Sequence, residues 1–123
     1  MLKNKYFSLL SSSAEADNNT LFELSLISDS DVYRGHFPGM PVAPGVCNIE
    51  MIKECAEEVC GCKLFLSYIS QCRFSALITP DKTPNLNLRL QLDKQDSGNI
   101  SFHSVLFKNE TVFLEMKGEL QYV

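Results

Sequence analysis

His36 and Glu50, fourteen positions apart, bracket the stretch of this 123-residue chain best suited to moving protons. Histidine and a carboxylate are frequent partners in general acid–base chemistry, one accepting a proton near neutral pH and the other holding or returning one. Between them runs His36-Phe37-Pro38-Gly39-Met40-Pro41-Val42-Ala43-Pro44-Gly45, and with Gly35 included three prolines and three glycines fall within eleven residues. Pro38, Pro41 and Pro44 each fix φ and remove a backbone donor. Gly39 and Gly45 open conformations or close approaches denied to other residues. A loop this stiff is expected to hold something in place.

Pro44-Gly45 leads directly into a helical pattern that spans Gly45–Cys60 and ends at Gly61. The N–H groups of Gly45, Val46 and Cys47 therefore have no acceptor within the helix. Together with the positive end of the helix dipole, they suit a polarised carbonyl or a developing oxyanion. A histidine beside them could remove a proton α to that carbonyl, and Glu50 could protonate or orient a leaving group. On the helical wheel Glu50 shares a polar face with Lys53, Glu54, Glu57 and Glu58, which reads as solvated. Lys53, three residues on, is spaced to pair with Glu50 and to favour its charged form. His103, between Phe102 and Ser104 with no motif around it, reads as a surface or sheet residue.

The elements that must position this stretch follow from periodicity. Residues 20–27 alternate, with Phe22, Leu24 and Leu26 on one face. Strand patterns recur at 63–77, 85–92, 100–107 and Thr111–Tyr122, separated by turn residues at 79–81, 96–99 and 108–110. Along the helix, Ile49, Met51, Ile52, Cys55, Ala56, Val59 and Cys60 occupy an arc of about 180°, wider than an ordinary surface helix shows. The expectation is an α+β domain in which one long helix is wrapped by a curved sheet of consecutive antiparallel strands.

Length and composition narrow the functional classes. The chain is expected to form one domain over 1–123. A formal net charge of −4 argues against nucleic acid or an anionic membrane as partner. No apolar run approaches the ~20 residues of a membrane-spanning helix. The opening Lys3, Lys5, Tyr6-Phe7-Ser8-Leu9-Leu10 is too short and too interrupted for a secretion signal, so a cytoplasmic location is expected. Cys47, Cys55, Cys60, Cys62 and Cys72 are odd in number and lack zinc spacing, so reduced thiols, several packed in the core, and no metal are expected.

The string G-H-F-P-G-x-P-V-x-P-G-V-x-x-I-E, read from Gly35 to Glu50, resembles the signature of the β-hydroxyacyl-acyl carrier protein dehydratases, the FabA/FabZ-type hotdog enzymes. A second block, R-F-S-A-L-I-T-P-D over residues 73–81, is similar to that family's (K/R)-F-x-x-x-(V/I)-x-P-G-D strand and turn. The two blocks come in the family order, and the resemblance runs from about Thr20 to the C-terminus. It implies a hotdog fold and the reversible elimination of water from a (3R)-3-hydroxyacyl thioester to give the trans-2-enoyl thioester, without cofactor or metal. It implies His36 as the base, Glu50 as the carboxylate that handles the 3-hydroxyl from the other subunit of a dimer, and Gly45, with Val46, as the thioester carbonyl site. Phe37, Pro38, Gly39, Pro41 and Pro44 would then form the supporting loop.

The chain also departs from the family. Lys53 and Glu54 stand where small apolar residues and a glutamine are usual, the N-terminal P-h-h-h-x-D segment is missing, and the turn reads Pro80-Asp81-Lys82. The first departure bears on the acid step; the other two are those expected of a short, divergent branch serving a specialised polyene, pigment or lipid pathway and not the housekeeping elongation cycle. An acidic acyl carrier protein as partner calls for basic contacts, for which Arg34, Arg73 and Lys82 are the candidates. Two other readings belong to the same fold: an acyl-thioester hydrolase, and a non-catalytic acyl-binding subunit.

Overall fold

Helix α1, Gly45–Cys60, forms where the periodicity places it. Pro44 stands at its N-cap with φ −66°, and Gly61 closes it in the left-handed region at φ 69°, its N–H donating to Glu57 O at 2.8 Å. The protein is described here by a computed structural model covering residues 1–33 and 41–123. The helix buries Asn48, Met51, Ile52, Cys55 and Ala56, a stripe at i, i+3, i+4, i+7 and i+8. This stripe is narrower than the arc read from the sequence, because Val59 is half-exposed and Ile49 and Cys60 are only partly covered.

Six strands form one antiparallel sheet: β1 Phe7–Ala14, β2 Asn19–Leu26, β3 Leu64–Phe74, β4 Asn85–Lys94, β5 Ile100–Lys108 and β6 Thr111–Tyr122, in the spatial order β1-β2-β4-β5-β6-β3. Two points correct the sequence reading. β1 was not expected: its serines at 11–13 carry no apolar alternation, and pairing with Glu23, Phe22 and Leu21 of β2 is what makes it a strand. The strands after the helix are also not all consecutive neighbours. β3 pairs with β6, so it lies at the edge of the sheet and not beside β4.

The core lies between the sheet and the helix. Ile49, Ile52 and Ala56 face Leu66, Leu90, Phe102, Met116 and Leu120. Each fully buried aliphatic side chain here stabilises the fold by roughly 1.5–3 kcal/mol relative to exposure. β3 carries two bulges, between Leu66 and Tyr68 and between Ile69 and Gln71, which bend it and break its alternation. Gly118 of β6 is the reason the bend fits. A Cβ there would lie 2.1 Å from the Tyr68 carbonyl oxygen, so only glycine permits this approach.

The N-terminal segment packs along the helix. Glu54, 3% exposed, accepts hydrogen bonds from the Leu2 N–H (3.1 and 2.9 Å) and the Lys3 N–H (3.0 Å). Glu57 accepts from Leu64 N–H at 2.9 Å, and Glu58 pairs with Lys3. The helix face expected to be solvated is therefore in part a docking surface, because exposed backbone amides need acceptors and these carboxylates provide them.

Candidate active site at the start of the helix

His36, Phe37, Pro38, Gly39 and Arg34 fall in segment 34–40, outside the described residues. The site is therefore built from Pro41 onwards. Ala43 N–H donates to Ile78 O at 2.8 Å, tying the rigid loop to the second sequence block, and Ser75 N–H donates to Phe113 O at 2.9 Å, tying that block to β6. Between these three segments lies a cleft of about 450 Å³. Its described walls are Ala43, Gly45 and Asn48 from the helix start, 74–78 from the end of β3 and beyond, and Phe113 and Leu114 from β6. Apart from Asn48 and Ser75 these side chains are apolar, and none carries a charge.

At the helix end, Cys47 N–H donates to Pro44 O at 3.1 Å in a tightened first turn, as does Asn48 N–H at 3.1 Å. Cys47 is thus not one of the free donors expected from the sequence. Gly45 and Val46 N–H have no acceptor among the described residues. Gly45 is also where the ring of Phe74 comes close: a Cβ at that position would lie 2.9 Å from Cζ of Phe74. The Val46 side chain is 76% exposed.

Glu50 does not line this cleft. It sits two residues from Asn48, about 200° around the helix. Lys53 Nζ lies 3.2 Å from Glu50 Oε2 and 3.8 Å from Glu57 Oε2, the ion pair expected from the spacing. Lys53 favours the charged form as the spacing predicts, but other causes outweigh it. Burial, then the adjacent Glu54, raises the Glu50 pKa above the ordinary carboxylate value, and Lys53 only partly offsets this. Cys47 is held in the thiol form by its own burial and by the nearby Glu50 charge.

The remaining sequence candidates are more scattered. Arg73 and Lys82 are both exposed, Arg73 opposite Glu115 in the β3–β6 register. His103 lies on β5, half-exposed, with Nε2 2.7 Å from Glu115 Oε2, and takes no part in the cleft. The five cysteines are all free, but only Cys55 is fully buried, and Cys62 and Cys72 are exposed. Burial pushes the Cys55 thiol up to about 12. Among the described residues no cluster of His, Cys, Asp and Glu side chains is placed to hold a metal ion, and no helix is long and apolar enough to cross a membrane.

Asn48 of the cleft wall and its hydrogen-bond partner Tyr6 were not singled out in the sequence. Asn48 is 4% exposed and accepts a hydrogen bond from the Tyr6 hydroxyl at 2.6 Å on Oδ1. Its signal was available: a lone amide on the helix stripe that is otherwise apolar. Tyr6 had no such signal, because only folding brings the N-terminal segment to the helix. Its ring centroid is 6.2 Å from that of Tyr33, whose hydroxyl is buried with no partner among the described residues. Burial raises the pKa of both phenols, Tyr6 the more strongly, so both stay protonated.

One helix against a six-stranded antiparallel sheet, with an apolar cleft at the helix N-terminus, defines a hotdog protein. The model of the ApeI-like family, described as ApeI dehydratase, matches residues 12–116, and the chain belongs to that family. Among curated relatives, the 3-hydroxyacyl-[acyl-carrier-protein] dehydratase FabZ of Lactiplantibacillus plantarum is 27% identical over 81 residues, 60% of this chain and 55% of that protein. FabZ of Pediococcus pentosaceus is 30% identical over 77 residues, 57% of this chain and 52% of that protein. The chain thus spans about half the length of the curated relatives it matches. Among solved structures, the dehydratase heterocomplex ApeI:P from Xenorhabdus doucetiae superposes with a TM-score of 0.66 at 22% identity, covering 93% of this chain and 96% of that one. An uncharacterised protein from Erwinia carotovora subsp. atroseptica gives 0.58 at 22% identity, with 95% of each chain covered. At these identities the two structures establish the fold.

Proposed function

We propose that this chain dehydrates a (3R)-3-hydroxyacyl group carried by acyl carrier protein, giving the trans-2-enoyl thioester in fatty acid or related polyene and lipid synthesis. The observation that carries the reading is the cleft: its described walls are largely apolar and uncharged, and they include Gly45, whose N–H, like that of the next residue Val46, has no acceptor among the described residues. An acyl chain fits the apolar walls, and its thioester carbonyl fits Gly45 and Val46 N–H, where the helix dipole favours the partial negative charge of an enolising carbonyl. His36 takes the α-proton; Glu50 then gives a proton to the departing 3-hydroxyl, leaving the enoyl thioester and water. No cofactor or metal is needed for this elimination.

Glu50 does not line the described walls of its own chain's cleft, and on this reading it acts in the cleft of a second copy. The edge strand supports such a homodimer. Of the eleven residues of β3 only Leu64 is buried, while Phe65, Tyr68, Ile69 and Phe74 are exposed on a strand whose outer edge pairs with no other strand among the described residues. Long apolar edges of this kind call for a partner. Arg73, next in sequence to Phe74 of the cleft wall, and Lys82 are exposed, and they are the proposed basic contacts for an acidic carrier, with Arg34 as the third candidate. A cytoplasmic location accords with such a partner.

A second reading is favoured by one comparison: the Xenorhabdus neighbour is part of a dehydratase heterocomplex. On this reading the β3 edge receives a different dehydratase subunit. The deciding assay supplies the purified chain with 3-hydroxyacyl carrier protein and measures enoyl product, free acid and assembly mass. Enoyl product from a dimer of one chain, lost by a factor of about 10² or more in His36→Ala, is expected. Free acid without enoyl product would instead identify a thioester hydrolase. Activity only after a second subunit is added would establish the heteromer, and full activity in His36→Ala would remove that residue from the mechanism.

A further inference from the structure

We infer that the side-chain amide of Asn48 is a second donor of the carbonyl-binding site, aimed by Tyr6 and acting beside the Gly45 N–H on the substrate thioester. The inference rests on the proposed function and adds a side chain to a site so far made of backbone. Three observations carry it. Asn48 is 4% exposed and lines the cleft with Gly45. Its Oδ1 is occupied by the Tyr6 hydroxyl at 2.6 Å. Its Nδ2 has no hydrogen-bond partner among the described residues and is not fully enclosed, and the side chain belongs to the cleft wall.

The orientation follows from elementary chemistry. A phenol with a strongly raised pKa is a donor, so it selects the carbonyl oxygen of the amide and turns the NH2 group the other way. Residues three apart on a helix have Cβ atoms about 5–6 Å apart. Side chains also lean toward the helix N-terminus, which carries the Asn48 amide back over the turn that begins at Gly45. A buried amide donor without an acceptor costs stability in the unliganded protein. An acyl oxygen placed between Gly45 N–H and Asn48 Nδ2 satisfies both donors, and it draws more from each as the carbonyl gains negative charge. A merely structural asparagine would have both ends of its amide paired within the protein.

The test uses the full chain, a carbonyl-¹³C trans-2-enoyl thioester as the bound probe, and Asn48→Leu, which keeps the volume and removes the donor. Expected is a red shift of the bound carbonyl stretch in the native protein that is partly lost in Asn48→Leu. Turnover should fall about a hundredfold in kcat with a smaller change in KM, the usual effect of losing one oxyanion donor. Tyr6→Phe leaves Asn48 present but unaimed, and is expected to lose part of the shift and about tenfold in kcat. If Asn48→Leu does not fold, the folded Tyr6→Phe variant decides by the same two readouts. An unchanged stretch with kcat within about threefold of native would overturn the inference while leaving the dehydratase reading intact. A native protein that neither shifts the carbonyl nor turns over would overturn both.

Discussion

Removing the Glu54 carboxylate should release the N-terminal segment from the helix. Glu54 is 3% exposed, and its two oxygens take the Leu2 and Lys3 amides at 2.9–3.1 Å. Hydrogen bonds to a charged group contribute about 1.5–3 kcal/mol each. Two donors therefore set an upper range of roughly 3–6 kcal/mol, reduced because both amides are partly exposed and water can take them when the acceptor is removed. A net loss of about 2 kcal/mol for Glu54→Ala is expected, within the range of single substitutions that break a buried polar contact. At about 2.1 cal/mol/K of unfolding entropy per residue over 123 residues, that lowers Tm by roughly 8 °C. Glu54→Gln keeps the shape and one acceptor oxygen and should lose about half as much. The assay is thermal and urea unfolding at one fixed protein concentration, since assembly stabilises the folded state by mass action. A Glu54→Ala protein melting within about 2 °C of native, with the same urea midpoint, would refute the docking argument.

Two further outcomes follow from named contacts. The proposed acid step needs protonated Glu50, whose pKa is raised chiefly by burial and lowered by Lys53. Activity should therefore hold below that pKa and fall as pH rises through it. Lys53→Met removes the lowering charge, so the alkaline limb of the kcat–pH profile should move to higher pH; a limb that stays or moves lower would contradict the assignment. Gly118→Ala forces a Cβ against the Tyr68 carbonyl at 2.1 Å and should cost about 2 kcal/mol or more by displacing the bulged β3, read as a lower urea midpoint; an unchanged midpoint would show that the bulge yields freely.

Much of the fold was legible along the chain because its signals are local. Pro44 before the helix and Gly61 after it act through their own dihedrals, so both ends of α1 were placed from the sequence. The even alternation of Leu86, Leu88 and Leu90 marks β4 for a similar reason, since a pleated strand sends alternate side chains to one face. β1 was illegible because its serine-rich run has no apolar period and becomes a strand only by pairing with β2. The edge position of β3 was equally hidden, because nothing within it specifies β6 as the neighbour.

For the site, the sequence alone pointed to the donors at Gly45 and Val46, with a third at Cys47 that the first helical turn uses, and to the Glu50–Lys53 pairing three residues apart. All of these depend on neighbours in the chain or on one turn of helix. Tertiary structure decided what those groups experience. It buried Glu50 enough to raise its pKa against the pull of Lys53, turned Glu54 from a solvated acid into an anchor for residues 2–3, and brought Tyr6 to Asn48 across 42 positions. Desolvation and hydrogen-bond direction depend on atoms far along the chain, so periodicity could place these residues on a helix but not assign their environments.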